Sequence, residues 1–334
     1  MENNKIDKNF KIDIQLFAQA SGQGTTWNLP NYSGELFTAD MINTPLLTML
    51  GGLTGGGMQS ENFEFPVTSE YDFPTQTQPA ITETASLTAP TATEAVRAQT
   101  KNVTQIFQQA VKLSYEKLSN RGRLSGINTA GDNNNVSDEL AWQIDYNLKI
   151  IARNVENTII NGVYQVATDA LTANKTRGIL AAASLTGGTA IAAVGVALSK
   201  TLMQQLFREM FANGAMFENP VIFVNGFQKQ AISDIYGYAP ESRNVGGVSI
   251  QQIETDFGNI GIAPAHRFMP ADELAIVEMS VVAPVFQPVP GKGNFFYEEL
   301  SKTGASENGQ IYGKFGLDTG PAFAHSKITG LAIA

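Results

Sequence analysis

The apolar positions of this chain change period several times. The clearest run is helical. Leu140, Ile144, Leu148, Ile151, Val155, Ile159 and Val163 recur at three- and four-residue steps, the spacing that lines up one face of an α-helix. Ser137 stands where an N-cap belongs, Asp138 and Glu139 suit the positive end of the helix dipole, and Asn161-Gly162 offers a stop. The pattern predicts a helix over 137–164, about 40 Å long at about 1.5 Å per residue. Gln143, Asn147, Arg153 and Asn157 lie opposite the stripe. Glu156 flanks it, and exposure is the expectation there unless an arginine pairs with it.

Upstream the period drops to two. Residues 62–67 (NFEFPV) alternate, and a second β-type run follows from Val103 through Phe107 to Leu113. Between them lies TQTQPAITETASLTAPTATEA, with few large apolar residues and too many prolines for a helix or a central strand. Two strands around a long polar excursion predict an outstretched hairpin, which a two-stranded ribbon cannot stabilise alone. It is either a mobile surface loop or an arm that lies on something outside its own fold.

The remaining patterns alternate helix and strand, then turn to strand. Ser199–Asn213 reads as a helix with Leu202, Met203, Leu206, Phe207, Met210 and Phe211 inward. Pro220–Val224 reads as a buried strand, followed by an Asn225-capped helix, Gly226–Tyr236, with Phe227, Ile232 and Ile235 inward. Val248–Ile253 and Ile260–Ile262 are further strands. Beyond 270 come Leu274–Met279, Val281–Pro288, a strand from Phe295, a turn over 304–309, and strands over Gln310–Leu317 and Ala324–Ile333. The first 60 residues read as an extended arm. Leu36, Met41 and Leu46 suggest a short helix stopped near Pro45, and Gly51, Gly52, Gly55, Gly56 and Gly57 form a hinge candidate.

Composition narrows the chemistry. The chain has 334 residues, 43% of them hydrophobic, enough for a substantial core. Only 16% are charged, below the roughly 25% of ordinary soluble domains, which suits a surface covered by copies of itself. The net charge of −9 argues against nucleic-acid binding as the main task, since phosphate contacts need clustered Lys and Arg. Cysteine is absent, which excludes disulfides, thiolate metal sites and a cysteine nucleophile. His266 and His325 are the only histidines, each read as a surface or strand-end residue, so no metal site and no cofactor are expected. No nucleophile elbow, phosphate-binding loop or zinc-protease motif occurs, and no enzymatic activity is expected. The start of the chain is polar and charged with no apolar segment like that of a secretory signal, which predicts synthesis in the cytosol. The uncharged stretch 178–199 is broken by Ser184, Thr186, Gly187, Gly188 and Thr189, so packed strands and turns are expected there rather than a membrane helix.

The excursion carries a charge pattern of its own. Glu61, Glu64, Glu70, Asp72, Glu83 and Glu94 precede the first basic residue, Arg97. An acidic arm of this kind either docks on a basic surface, for which Arg121, Arg123 and Arg153 are candidates, or is simply solvated.

The order of parts, an arm, a long hairpin, one long helix, an α/β module and a closing β segment, resembles the major capsid proteins of tailed bacteriophages, with their α+β Hong Kong 97-type (Johnson) fold. IDIQLFA (12–18) resembles an N-terminal phrase of capsid proteins from phages of Gram-positive bacteria. NVTQIFQQAVKLS (102–114) and DELAWQIDYNLKIIARNVENTIING (138–162) are similar to one branch of the family. TRGIL (176–180), TDFGNI (255–260) and LDTGPAFAHSKITGL (317–331) are similar to further family phrases.

The resemblance implies a domain map: an N-terminal arm over 1–59, an extended loop (E-loop) over 60–112, and a peripheral (P) domain over 113–174 that includes the spine helix 137–164. An axial (A) domain over 175–270 and return strands of the P-domain over 271–334 complete it. It implies that the chain assembles with itself, as hexamers and pentamers, into an icosahedral or prolate shell around double-stranded DNA. Portal, scaffolding and decoration proteins are the other implied partners, with DNA contacted without sequence preference and no membrane involved. The implied location is the virion, after assembly in the cytoplasm of a host bacterium. Some relatives join an E-loop lysine to a neighbour's asparagine, but here no lysine lies between Lys11 and Lys101, so a non-covalent shell is expected. An encapsulin-type compartment shares the fold and is the alternative. A surface-layer or adhesion protein is a weaker one, because the polar, charged start offers no secretory signal.

Overall fold

The computed structural model describes residues 43–71, 77–92, 94–119, 139–237, 241–245 and 248–333. Its first element is a short helix, Pro45–Met49. The short helix expected from Leu36 and Met41, stopped near Pro45, falls mostly outside the described residues. Pro45 lies in the first turn, where its missing N–H would have had no intrahelical partner anyway. Leu36 and Met41 lie outside the described residues, as do Asp72, Arg121, Arg123, Ser137 and Asp138.

The chain then turns through Gly51 and Gly52, both at positive φ (95° and 75°). It enters β1 (Met58–Gln59), then the hairpin of β2 (Glu64–Tyr71) and β3 (Arg97–Val103). The hairpin is antiparallel, in register from Glu64↔Val103 to Tyr71↔Arg97. The excursion between its strands contains one helical turn, Glu83–Ser86, which the sequence pattern did not predict. Thr82 explains it, because its hydroxyl caps the turn by accepting from the Ala85 N–H at 3.2 Å.

β4 (Gln105–Ser114) and a short helix, Tyr115–Ser119, lead to the long helix, Glu139–Asn161. Gly162 ends that helix as expected, but Val163 lies beyond it and is exposed. The chain continues through a turn of helix, Ile179–Ala182, then β5 (Thr189–Ala192), helix Lys200–Ala212, β6 (Pro220–Val224) and helix Gly226–Tyr236. Next come β7 (Glu241–Val245), β8 (Val248–Thr255), β9 (Gly258–Pro264), β10 (Leu274–Glu278), β11 (Ala283–Phe286), β12 (Phe295–Leu300) and β13 (Ser306–Asp318). A 3-10 turn, Ala322–Ala324, and β14 (Ser326–Thr329) close the order. The turn expected over 304–309 falls earlier, around Gly304 (φ 85°), since β13 already begins at Ser306.

A seven-stranded sheet runs β5-β14-β10-β6-β9-β8-β7. A five-stranded sheet runs β1-β11-β13-β12 with β4 also on β13, and β2-β3 stand as a pair. Every residue of β6 and β10 is buried, the continuous apolar reading of strands covered on both faces. β6 is parallel to β9 and antiparallel to β10. Met203, Leu206, Phe207 and Met210 pack from one helix, and Ile232 from another, into a core with Ile222, Val224, Ile262, Ile276 and Ile328. Phe211 and Phe227, expected inward, are exposed instead. The helix that carries Phe211 already fills its inward stripe with Met203, Leu206, Phe207 and Met210. The seven-stranded sheet takes β10 and β14 from beyond residue 270.

The described chain forms two compact units. One comprises residues 109–148 and 297–311 and is tied by the Tyr115 N–H donating to the Ala305 carbonyl (3.1 Å) and by a Lys117–Glu139 ion pair (3.1 Å). The other holds the seven-stranded sheet, the hairpin and the second half of the long helix.

Candidate assembly surfaces

The hairpin is fixed at its base and bare at its far end. At the base, Asn102 is fully buried and all four of its hydrogen-bonding positions are used. Its amide group donates to the carbonyls of Arg177 (3.2 Å) and Leu317 (2.7 Å), and its Oδ1 accepts from the N–H groups of Arg177 (2.8 Å) and Val103 (2.9 Å). Phe65 and Val103 are buried beside it, and a Cβ on Gly316 would meet the Phe65 ring at 2.8 Å. Arg177 lays its guanidinium over Tyr164, 4.4 Å from the ring centroid, and donates to the Lys101 carbonyl.

Beyond this base the pattern changes. Every described residue from 77 to 96 is exposed, among them Ile81 at 72%, Leu87 at 84% and Val96 at 81%. Large apolar side chains this bare have no cover among the described residues.

The acidic candidates are spread along the same segment. Glu61, Glu70, Glu83 and Glu94 are exposed. Glu64 meets Lys101 across the hairpin at 3.2 Å, so its charge is matched within the chain. The Thr68 hydroxyl donates to Glu70 at 3.0 Å. Arg153 is half-buried on the long helix.

The glycine run is a closely packed turn. The N–H groups of Gly51 and Gly52 donate to the carbonyls of Thr48 (3.1 Å) and Leu47 (2.9 Å). A Cβ on Gly55 would lie 2.1 Å from the Gly51 carbonyl oxygen, and one on Gly57 would lie 2.6 Å from that of Pro284. Gly56 alone has open space and no positive φ.

On the long helix, Ile151, Val155, Ile159 and Ile160 are buried, while Leu140, Ile144 and Leu148 are half-buried. Trp142 and Tyr146 are partly exposed and stack on each other, with ring centroids 5.7 Å apart. Glu156 corrects the sequence expectation, because it is fully buried and its partner is not an arginine. Its two carboxyl oxygens accept from the N–H groups of Leu46 (3.0 Å) and Leu47 (2.6 Å). Burial pushes its pKa up to about 7, against the pull of those two N–H groups.

His325, expected at the surface or at a strand end, directly precedes β14 and is fully buried. Its Nδ1 accepts from the Glu278 N–H at 3.4 Å, and Nε2 donates to the Thr319 carbonyl, an arrangement that suits the neutral ring. Burial holds its pKa below the usual histidine value. The Glu278 carboxylate, also buried, accepts from the N–H groups of Glu218 and Asn219 and from the Ser280 hydroxyl. These groups tie loops to strands and are buried. His266 is exposed at positive φ (43°). Among the described residues, no group of three His, Asp or Glu is placed to hold a metal, and no helix is long and apolar enough to cross a membrane.

A long helix, a β hairpin reaching away from its anchored base, and a mixed sheet flanked by helices define the class: shell proteins of the Hong Kong 97 type. Solved structures share the fold. The capsid subunit of cyanophage A-1(L) matches with a TM-score of 0.60 and 12% identity, over 91% of this chain and 97% of its own. The SrpI encapsulin of Synechococcus elongatus gives 0.58 and 11%, over 95% and 96%. Mycobacterium phage Patience gives 0.56 and 11%, over 87% and 85%. No curated protein sequence matches the chain. The family model of the SU10 major capsid protein matches residues 19–332, and the chain belongs to that family. It is thus a structural protein of a bacteriophage virion, whose copies assemble into the capsid.

Proposed function

We propose that this chain forms hexamers and pentamers in the head of a tailed phage, with the exposed end of the β2–β3 hairpin lying on a neighbouring copy. The observation that carries this reading is the exposure of Ile81, Leu87 and Val96 on a segment whose base is locked by Asn102. Covering those side chains supplies apolar burial that the single chain lacks. Each contact is weak by itself, and the closed lattice multiplies it. Exposed Glu61, Glu70, Glu83 and Glu94, with Asp72, are the acidic partners for a basic surface of the neighbour, for which Arg121, Arg123 and Arg153 are the candidates.

The domain map follows the same reading: arm 1–59, E-loop 60–112, P-domain 113–174 with return strands 271–334, and A-domain 175–270. Gly51–Gly57 is the hinge candidate for reorientation during maturation. Its positive-φ glycines and close approaches favour a turn that pivots as a unit over a freely flexible link. The shell encloses double-stranded DNA, touches it without sequence preference and works with portal, scaffolding and decoration proteins. It assembles in the host cytoplasm and has no catalytic task. The E-loop tip has no lysine, so the shell is non-covalent.

Co-expression of the full chain with its neighbouring genes, followed by electron microscopy and a denaturing gel, tests this. Closed DNA-competent shells that dissolve to a single 35.9 kDa band are expected. A cross-linked ladder contradicts the non-covalent shell. The encapsulin likeness over 95% of the chain keeps one second reading in view, a cargo compartment. Particles that enclose a host enzyme and no DNA would favour it.

A further inference from the structure

Glu156 holds the start of helix Pro45–Met49 through both of its carboxyl oxygens. Thr44, the N-cap residue, makes no side-chain cap, so Leu46 and Leu47 would be left with unpaired N–H groups in a buried place. Glu156 fills that role from 110 and 109 positions away, one oxygen to each N–H. Glutamine would satisfy one donor and oppose the other, because its NH2 accepts nothing, whereas a neutral carboxyl keeps acceptor capacity on both oxygens.

Among the described residues, that carboxyl has no counter-charge. On its own helix, Lys149 is exposed and Arg153 is half-buried one turn earlier. The helix Pro45–Met49 carries no titratable side chain. β8, which packs against that helix, carries Glu254, exposed, and no cation within Val248–Thr255. No charged side chain contributes to the shift at Glu156, which burial and two backbone N–H groups account for.

We propose that Glu156 is a proton-linked latch that fixes the junction of the N-terminal segment to the long helix and loosens as its proton is lost. With the latch closed the carboxyl is buried, and with it open the carboxyl is in water. Opening therefore releases the proton to solvent at any pH between the two ionisation ranges. The junction is most firmly held when Glu156 is neutral, and its opening becomes easier as pH rises toward and through neutrality. This goes beyond the shell reading and does not depend on it, because the latch lies within one chain.

Hydrogen exchange resolved to single residues tests it, on the full-length protein as unassembled subunits and as particles. Protection of the Leu46 and Leu47 amides, corrected for the intrinsic pH dependence of exchange, is expected to fall about tenfold per pH unit between about 5 and 7 and to level off above. Buried amides of β6 serve as the reference. In Glu156→Gln the fall should vanish. Flat protection in the wild type overturns the latch, and so does an unchanged slope in the variant. Should the variant not fold, the wild-type titration decides alone.

Discussion

The β2–β3 hairpin and the seven-stranded sheet are both built from short strands of ordinary β composition, yet they stand at opposite ends of self-sufficiency. In β6 and β10 every residue is buried, and helices Lys200–Ala212 and Gly226–Tyr236 contribute Met203, Leu206, Phe207, Met210 and Ile232 to the same core. In the hairpin only the base is covered, by Phe65, Asn102 and Val103, and residues 77–96 are exposed wherever they are described. The sheet is finished within one chain. The hairpin's apolar residues Ile81, Leu87 and Val96 stay exposed, and on the proposed reading a second copy of the chain covers them. On that reading the contrast separates residues that hold the subunit from residues that would hold the shell, and it can be attacked at several points.

The largest difference should come from paired truncations. Phe223→Ala in β6 is expected to cost the isolated subunit about 3–5 kcal/mol in chemical unfolding. Leu87→Ala should change it by less than about 0.5 kcal/mol while lowering particle yield. Equal losses of subunit stability would erase the distinction.

Next is pH. The Glu156 pKa rises from 4.5 to about 7 on folding, so the neutral carboxyl favours the folded chain. That contribution is fully present below about 4.5 and is lost as pH rises through about 7. It amounts to something on the order of 3 kcal/mol. Wild type should therefore lose unfolding free energy relative to Glu156→Gln between pH 5 and pH 8. Parallel stability curves would contradict it.

Smaller still is the glycine turn. Gly57→Ala would push a Cβ against the Pro284 carbonyl and the Phe286 ring, and about 1–3 kcal/mol of stability should go. Gly56→Ala meets open space and should be tolerated, so thermal melts of the two variants side by side show whether the turn is packed as described. The smallest effect belongs to Lys101→Ala, which removes the exposed pair with Glu64 and should cost less than about 1 kcal/mol.

The sequence pattern carried the repetitive parts of this fold well. The long helix, the β6 strand and the helix cap at Asn225 are local signals, and each lies where periodicity or capping chemistry predicts. What escaped it depends on partners far along the chain. Glu156 looks like a flanking surface residue until Leu46 and Leu47 are brought to it. Asn102 has no local signature, since three of its four bonds go to residues 177 and 317. His325 is surface-like by composition and buried by the return of β14 beside β10.

The family phrases gain physical content in the same way. TRGIL supplies the Arg177 backbone that Asn102 grips. Gly178 lies so close to Gly162 that a Cβ would meet its nitrogen at 2.6 Å. TDFGNI turns at Gly258 (φ 119°) between β8 and β9, and LDTG turns at Gly320 (φ 63°), whose N–H donates to the Asp318 carboxylate. Phe211, read as core from spacing alone, shows the limit of periodicity: a helix has room inward for only so many large residues.

On the proposed reading the hairpin is completed by another copy of the chain. Hydroxyl-radical footprinting of Ile81 and Leu87, in unassembled subunits and in purified particles, tests it most directly. Several-fold protection of both in the particle, with no change at Phe223, is the expected result. Equal reactivity in subunit and particle would contradict the account, because the side chains that need a neighbour would then have none.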